Sequence, residues 1–119
     1  MIVRVHNLTK HTILGDSVFV ANTPKERVNG LLDFDRLNEG EGLLIPHCKS
    51  IHTIGMKFPI DVVFLDENNK VLGVLRGITP GVQKAQASGP GRKVLELPAG
   101  KAQESLTSPG DQLAFVKVE

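Results

Sequence analysis

The apolar positions of this chain fall into short runs, most with the two-residue period of a strand. In residues 2–7, IVRVHN, Val3 and Val5 alternate with Arg4 and His6, which predicts a half-exposed or edge strand. SVFVAN, residues 17–22, is β-branched and aromatic enough for a second. The texture then changes. Thr23 suits a helix N-cap, Pro24 the first helical position, and Glu26 lies where a capping box requires it. Val28, Leu31 and Leu32 follow at helical spacing and predict the inner face of a helix ending near Leu32–Phe34. Gly30 lowers helix propensity there and suits close packing against a sheet.

Residues 35–41 are polar and predict a loop, followed by the apolar run GLLIP at 42–46. IDVVFLD, 60–66, is almost continuously apolar, as a strand buried on both faces would be. Glu67-Asn68-Asn69-Lys70 has hairpin-turn composition, and KVLGVLRG, 70–77, returns as its antiparallel partner. GITPGVQKAQASGPG, 77–91, holds four glycines and two prolines without a hydrophobic period. A loop of that length in a compact domain is usually functional, mobile or both. KVLELP, 93–98, predicts a strand, with Leu95 and Leu97 opposite Val94 and Glu96. AGKAQESL, 99–106, predicts two helical turns, SPGD a turn, and QLAFVKVE a last strand. The expected fold is α+β, mainly β: a single curled antiparallel or mixed sheet, or a small open barrel, with one or two short helices.

At 119 residues the chain is expected to be a single domain, and its 40 % hydrophobic content supports a modest core. Net charge is +1, and no basic run exceeds the pair Arg92-Lys93. With five Phe and no Trp or Tyr, a base-stacking platform is poorly supplied, so nucleic acid is not expected as a partner. No apolar stretch approaches a membrane span, and the first residues lack a basic segment followed by an apolar one. A lone cysteine makes no intramolecular disulfide. Together these favour a cytoplasmic location without membrane attachment.

TPKERVNGLL, IHTIGMKFPIDVVFLD, KVLELPAG and SPGD, in that order and spacing, resemble the domain of unknown function 192 family over about residues 17–118. The most specific part is the Pro-Ile-Asp-Val-Val-Phe-Leu-Asp run joined to Leu-Glu-Leu-Pro-Ala-Gly and the later Gly-Asp. The resemblance implies a compact β-rich α+β domain and carries no activity. The commoner family form has Trp-Met-x-Asn-Thr ahead of the Pro-x-Asp strand; here His52, Thr53, Ile54, Gly55 and Met56 stand at those positions.

Candidate chemistry gathers in PHCKSIHTIGMKFPID, residues 46–61. Cys48 and His52 are a possible nucleophile and base, with Asp61 or Glu96 as candidate orienting acid. On an extended strand the two would lie about 13 Å apart, outside proton-transfer reach, so only a helical turn or folded-back loop joins them. His47, Cys48, His52 and Asp61 are competent metal ligands, but the spacing lacks a second ligand pair, and no metal or cofactor is expected. Asp61 enters the most apolar strand and must be paired or hydrogen-bonded there; the expectation is that it accepts backbone N–H groups from the 50–57 loop. Glu96, opposite Leu95 and Leu97, reads as solvated or partner-facing, or as a carboxylate sharing a mouth with Asp61. Met56 and Phe58 beside Ile54 form an apolar patch near the histidines, or plug the sheet's open end. Arg27 is expected to pair with an acid. The preferred reading is a non-catalytic accessory domain that binds a small ligand or protein segment at a cleft built by the 46–61 loop. His47, His52, Thr53, Met56, Phe58, Asp61 and Glu96 are the expected contacts. The alternatives are a thiol-dependent enzyme using Cys48 and His52, a small metal-binding protein, and an interaction module using a sheet edge.

Overall fold

A computed structural model describes residues 1–118. In chain order, β1 spans Ile2–Asn7, β2 Thr12–Val20, α1 Pro24–Asn29, β3 Glu41–Pro46, β4 Ser50–Ile51 and β5 Ile60–Leu65. Then come β6 at Val71–Ile78, β7 at Ala85–Gln86, β8 at Lys93–Pro98, α2 at Lys101–Glu104 and β9 at Leu113–Lys117. Seven strands form one sheet in the order β6-β5-β8-β3-β2-β1-β9, and β4 pairs with β7 as a separate ribbon. Only β2 and β3 run parallel, joined by the crossover that carries α1; the sheet is therefore mixed. The edge strands return toward each other at one end. Lys70 and Gln112 form an isolated antiparallel bridge there, and the Val71 N–H donates to the Asp111 carbonyl at 2.9 Å. The result is a curled half-barrel, as the sequence predicts.

The strands that read as continuously apolar are central because both of their faces are covered. Val63 and Leu65 of β5, Leu95 and Leu97 of β8 and Leu44 of β3 point into the barrel, with Val3, Val5, Leu14, Val18 and Leu113. Ile60, Val62 and Phe64, with Val94, Leu43 and Ile45, form a second core on the outer face. That outer core is roofed by the segment after α1, by residues 47–58 and by the 77–91 segment, which supply Leu31, Met56 and Ala85. The 77–91 segment lies close on β6: a Cβ at Gly73 would stand 2.8 Å from the Ala87 side chain.

Several elements depart from expectation. β2 begins at Thr12 rather than Ser17; its register against β1 shifts between Val18 and Gly15, and only a glycine fits at 15 because the Gly40 carbonyl lies 2.8 Å from where a Cβ would sit. β1 lies inside the sheet, paired on both sides. The predicted capping box of α1 is present, with the Glu26 N–H donating to Thr23 Oγ1 at 3.1 Å. The helix stops at Asn29, however, because Gly30 turns to φ 52. Val28 consequently points outward and is 74 % exposed, while Leu31 is buried from the following turn. α2 is a single turn, and the 77–91 segment contains β7.

Candidate functional site

Glu96 sits at the centre of β8. Its register partners are Leu43 on β3 and Val62 on β5, both in the outer core, so the strand's alternation aims its side chain away from the barrel and under the roof. Only 3 % of the residue is exposed, and Oε1 meets no hydrogen-bond partner among the described residues. Burial pushes its carboxyl up from 4.5 to about 7.

A cleft of about 270 Å³ opens above this carboxyl. One wall is the end of α1 and the turn after it, with Arg27, Val28, Gly30, Leu31 and Leu32. The facing wall is Cys48, Ser50, Ile51, His52 and Met56, and Ile45 joins Glu96 in the floor. Gly30 leaves the approach to Glu96 free, since a Cβ there would stand 3.9 Å from Oε1. Among the described residues Arg27 does not pair with an acid as expected; Nη1 donates to the Asn22 carbonyl at 3.2 Å. On the other side of α1, a second groove of about 280 Å³ is lined by Phe19, Phe34 and Leu43. Among the described residues only the Glu96 cleft holds an unpartnered buried side-chain oxygen.

Cys48 and His52 do reach one cleft, through the folded-back path of residues 47–52. The surroundings of the thiol disfavour the thiolate. Sγ donates to the Ser50 carbonyl at 3.0 Å, and burial, with the nearby Glu96 carboxyl, pushes its ionisation up against weaker opposing effects from the Ser50 contact and Arg27.

Asp61 occupies the opposite face of the sheet. It is fully buried and accepts three backbone N–H groups, from Gly77 at 2.8 Å, Gly100 at 3.0 Å and Ala102 at 2.9 Å. The expected backbone bonds exist, but they brace the end of β6 and the start of α2 instead of the 50–57 loop. Asp61 and Glu96 therefore share no mouth: Asp61 is opposite Leu97 in register, one position off Glu96, and alternation sends the two carboxyls to different faces. The brace of the loop is Thr53. Its Oγ1 donates to the Thr79 carbonyl at 2.7 Å and accepts from the Val82 N–H at 2.9 Å. Its backbone exchanges two more bonds with Val82 and Gly81, tying the 77–91 segment to the cleft wall. β4 and β7 extend the same tie, pairing Ser50 with Gln86 and Ile51 with Ala85.

Of the expected contacts, His52, Met56 and Glu96 line the cleft. His47 is exposed with φ 55, and Phe58 packs against the outer core beneath the roof; neither lines the cleft. The sequence reading missed Gly30, Leu31, Leu32 and Ile51 as cleft walls. The signal for the first three was the glycine itself, which ends the helix. Among the described residues no three His, Cys, Asp or Glu side chains converge as a metal site, and no helix is long and apolar enough to cross a membrane.

Two solved structures share the fold. One is a protein of unknown function from Novosphingobium aromaticivorans DSM 12444, 23 % identical, with a TM-score of 0.81, covering 96 % of this chain and 84 % of that one. The other, from Sinorhizobium meliloti 1021, is described as a "putative transcription regulator"; it is 22 % identical, with a TM-score of 0.82, covering 95 % of this chain and 91 % of that one. At these identities the likeness concerns the fold alone. No curated protein matches the chain. The profile of the DUF192 family, "Uncharacterized ACR, COG1430", matches residues 4–115, nearly the whole chain. The chain belongs to the DUF192 family.

Proposed function

We propose that this protein is a non-catalytic binding domain whose site is the cleft between the end of α1 and residues 48–56. The observation that carries this reading is Glu96: a carboxyl in the sheet's outer core, with one oxygen unpartnered, at the floor of an otherwise largely apolar cleft. A buried polar atom without a partner costs about 1–3 kcal/mol, more if charged, and a bound group that hydrogen-bonds to it recovers that cost. Apolar walls with a single oriented polar group are the ordinary composition of a small-ligand site. The cleft of about 270 Å³ suits one small body, either a free molecule or a side chain of a protein segment.

The test is a fragment titration followed by two-dimensional NMR. Small apolar fragments with one hydrogen-bonding head are expected to move the amides of Gly30, Ile51, His52, Met56 and Glu96 together. Leu32→Trp fills the cleft from its half-buried wall and should abolish those shifts while the spectrum stays dispersed. Shifts that survive in Leu32→Trp, or that cluster elsewhere on the molecule, would refute the site.

A further inference from the structure

The floor of the cleft also constrains what the ligand is made of. Resting on the binding reading above, we infer that the ligand presents a cationic N–H donor, an ammonium or amidinium, on a small apolar body, with the donor seated on Glu96 Oε1. Glu96 makes the demand for a donor, because the unpartnered atom is a carboxyl oxygen, which accepts hydrogen bonds when ionised. Leu31, Leu32, Ile45, Ile51 and Met56 set the apolar body. Gly30 leaves the last step of the path to Oε1 open. A charge-assisted N–H to carboxylate bond is roughly twice as strong as a neutral one, so a cationic head outcompetes an amide of the same shape.

The groups around Glu96 fit this assignment. β3 and β5 face it with Leu43, Ile45 and Val62, which carry no charge. The titratable or charged groups on the other elements around it are Arg27 of α1 and Cys48 and His52 of the facing wall. The Arg27 guanidinium is turned to the Asn22 carbonyl, and the thiol donates to Ser50. None of these residues donates to Oε1.

The same donor chemistry is found in free amines and in lysine or arginine side chains, and the test separates them. The full chain is titrated at pH 8 with benzylamine, benzamide, benzoate and the blocked tripeptide Ac-Gly-Lys-Gly-NH2, following the cleft amides. Benzylamine or the tripeptide should bind at least tenfold tighter than benzamide, and whichever wins names the source. With the Glu96 carboxyl titrating near 7, the winning probe should lose about tenfold in affinity between pH 8 and pH 6. Glu96→Gln should remove both the preference and the pH dependence. Because the His52 imidazole also lines the cleft, His52→Gln is the control: a pH dependence that persists in it belongs to Glu96, and one that vanishes overturns the assignment. Benzoate binding best at the same amides would overturn the cationic ligand, pointing to Arg27 or His52 as anchor, and leave the binding site standing. A preference for benzylamine that survives Glu96→Gln would also overturn it. If no probe moves the cleft amides at millimolar concentration, the inference fails; if the wider fragment set is equally silent, so does the binding reading.

Discussion

The buried Glu96 carboxyl makes the stability of the fold depend on pH in an unusual direction. In the unfolded chain this carboxyl titrates near 4.5, and in the folded chain near 7. Below pH 4.5 it is protonated in both states and costs the fold little. Between 4.5 and 7 the folded chain holds a proton that the unfolded chain has released, so stability falls as pH rises, and it levels off above 7. That gap is worth about 3 kcal/mol, at about 1.4 kcal/mol per factor of ten. Paired acids work the other way. Asp111, whose carboxyl is lowered by Asn7, Lys10 and the Ser108 N–H against burial, contributes stability above its ordinary range that is lost in acid. Glu96→Gln keeps the shape and removes the titration, so the difference between the two proteins isolates the one group. Urea unfolding of both at pH 4.5, 6 and 8 should show the variant gaining about 3 kcal/mol relative to the parent across that range. At or below pH 8 the folded chain keeps the Cys48 thiol, which burial raises, largely protonated, and both proteins share its ionisation in the unfolded state. Parallel stability curves, with a difference constant within about 1 kcal/mol, would mean that water or a neighbouring cation solvates Glu96 in the fold. Glu96 would then no longer mark the cleft as a binding site.

Two further predictions probe the surroundings. Asp61→Ala removes the buried acceptor of three N–H groups, of Gly77, Gly100 and Ala102, and should cost about 4 kcal/mol in urea unfolding; a loss under about 1 kcal/mol would show that those donors find water instead. Cys48 should react with a maleimide at neutral pH several-fold more slowly than a free thiol, because burial holds it protonated; faster labelling would revive the nucleophile reading.

Much of the sheet was legible because local pattern and environment agree there. β5 reads as apolar at five of its six positions, and all six are buried; its hairpin with β6 follows from the Glu67–Lys70 turn. The capping box was legible because it is a contact within four residues. The end of α1 was not. Val28 and Leu31 share a helical period, but Gly30 takes a positive φ between them and divides them between solvent and core. The register of β5 and β8 is also invisible along the chain, and it separates Asp61 from Glu96. Alternation gave the face of Glu96 correctly. It could not show that this face is covered, because the cover comes from the segment after α1, residues 47–58 and the 77–91 segment, all remote in sequence.

Asp61 and Glu96 make the contrast that bears on function. They lie on paired strands one register position apart, both almost wholly buried. For Asp61 the fold supplies three donors, two of them from the start of a helix, and the carboxyl works as a structural brace. For Glu96 it leaves an oxygen bare. A domain of this size has roughly 5–15 kcal/mol of stability, so a burden near 3 kcal/mol is large. Glutamine, or a well-packed leucine, would relieve that burden without disturbing β3 or β5, which touch this position only through apolar side chains. Architecture alone therefore gives no reason for a carboxyl at position 96, whereas an occupant of the cleft that donates to Oε1 does. A donor bound at Oε1 would offset that burden, and the proposed site rests on this asymmetry between the two carboxyls.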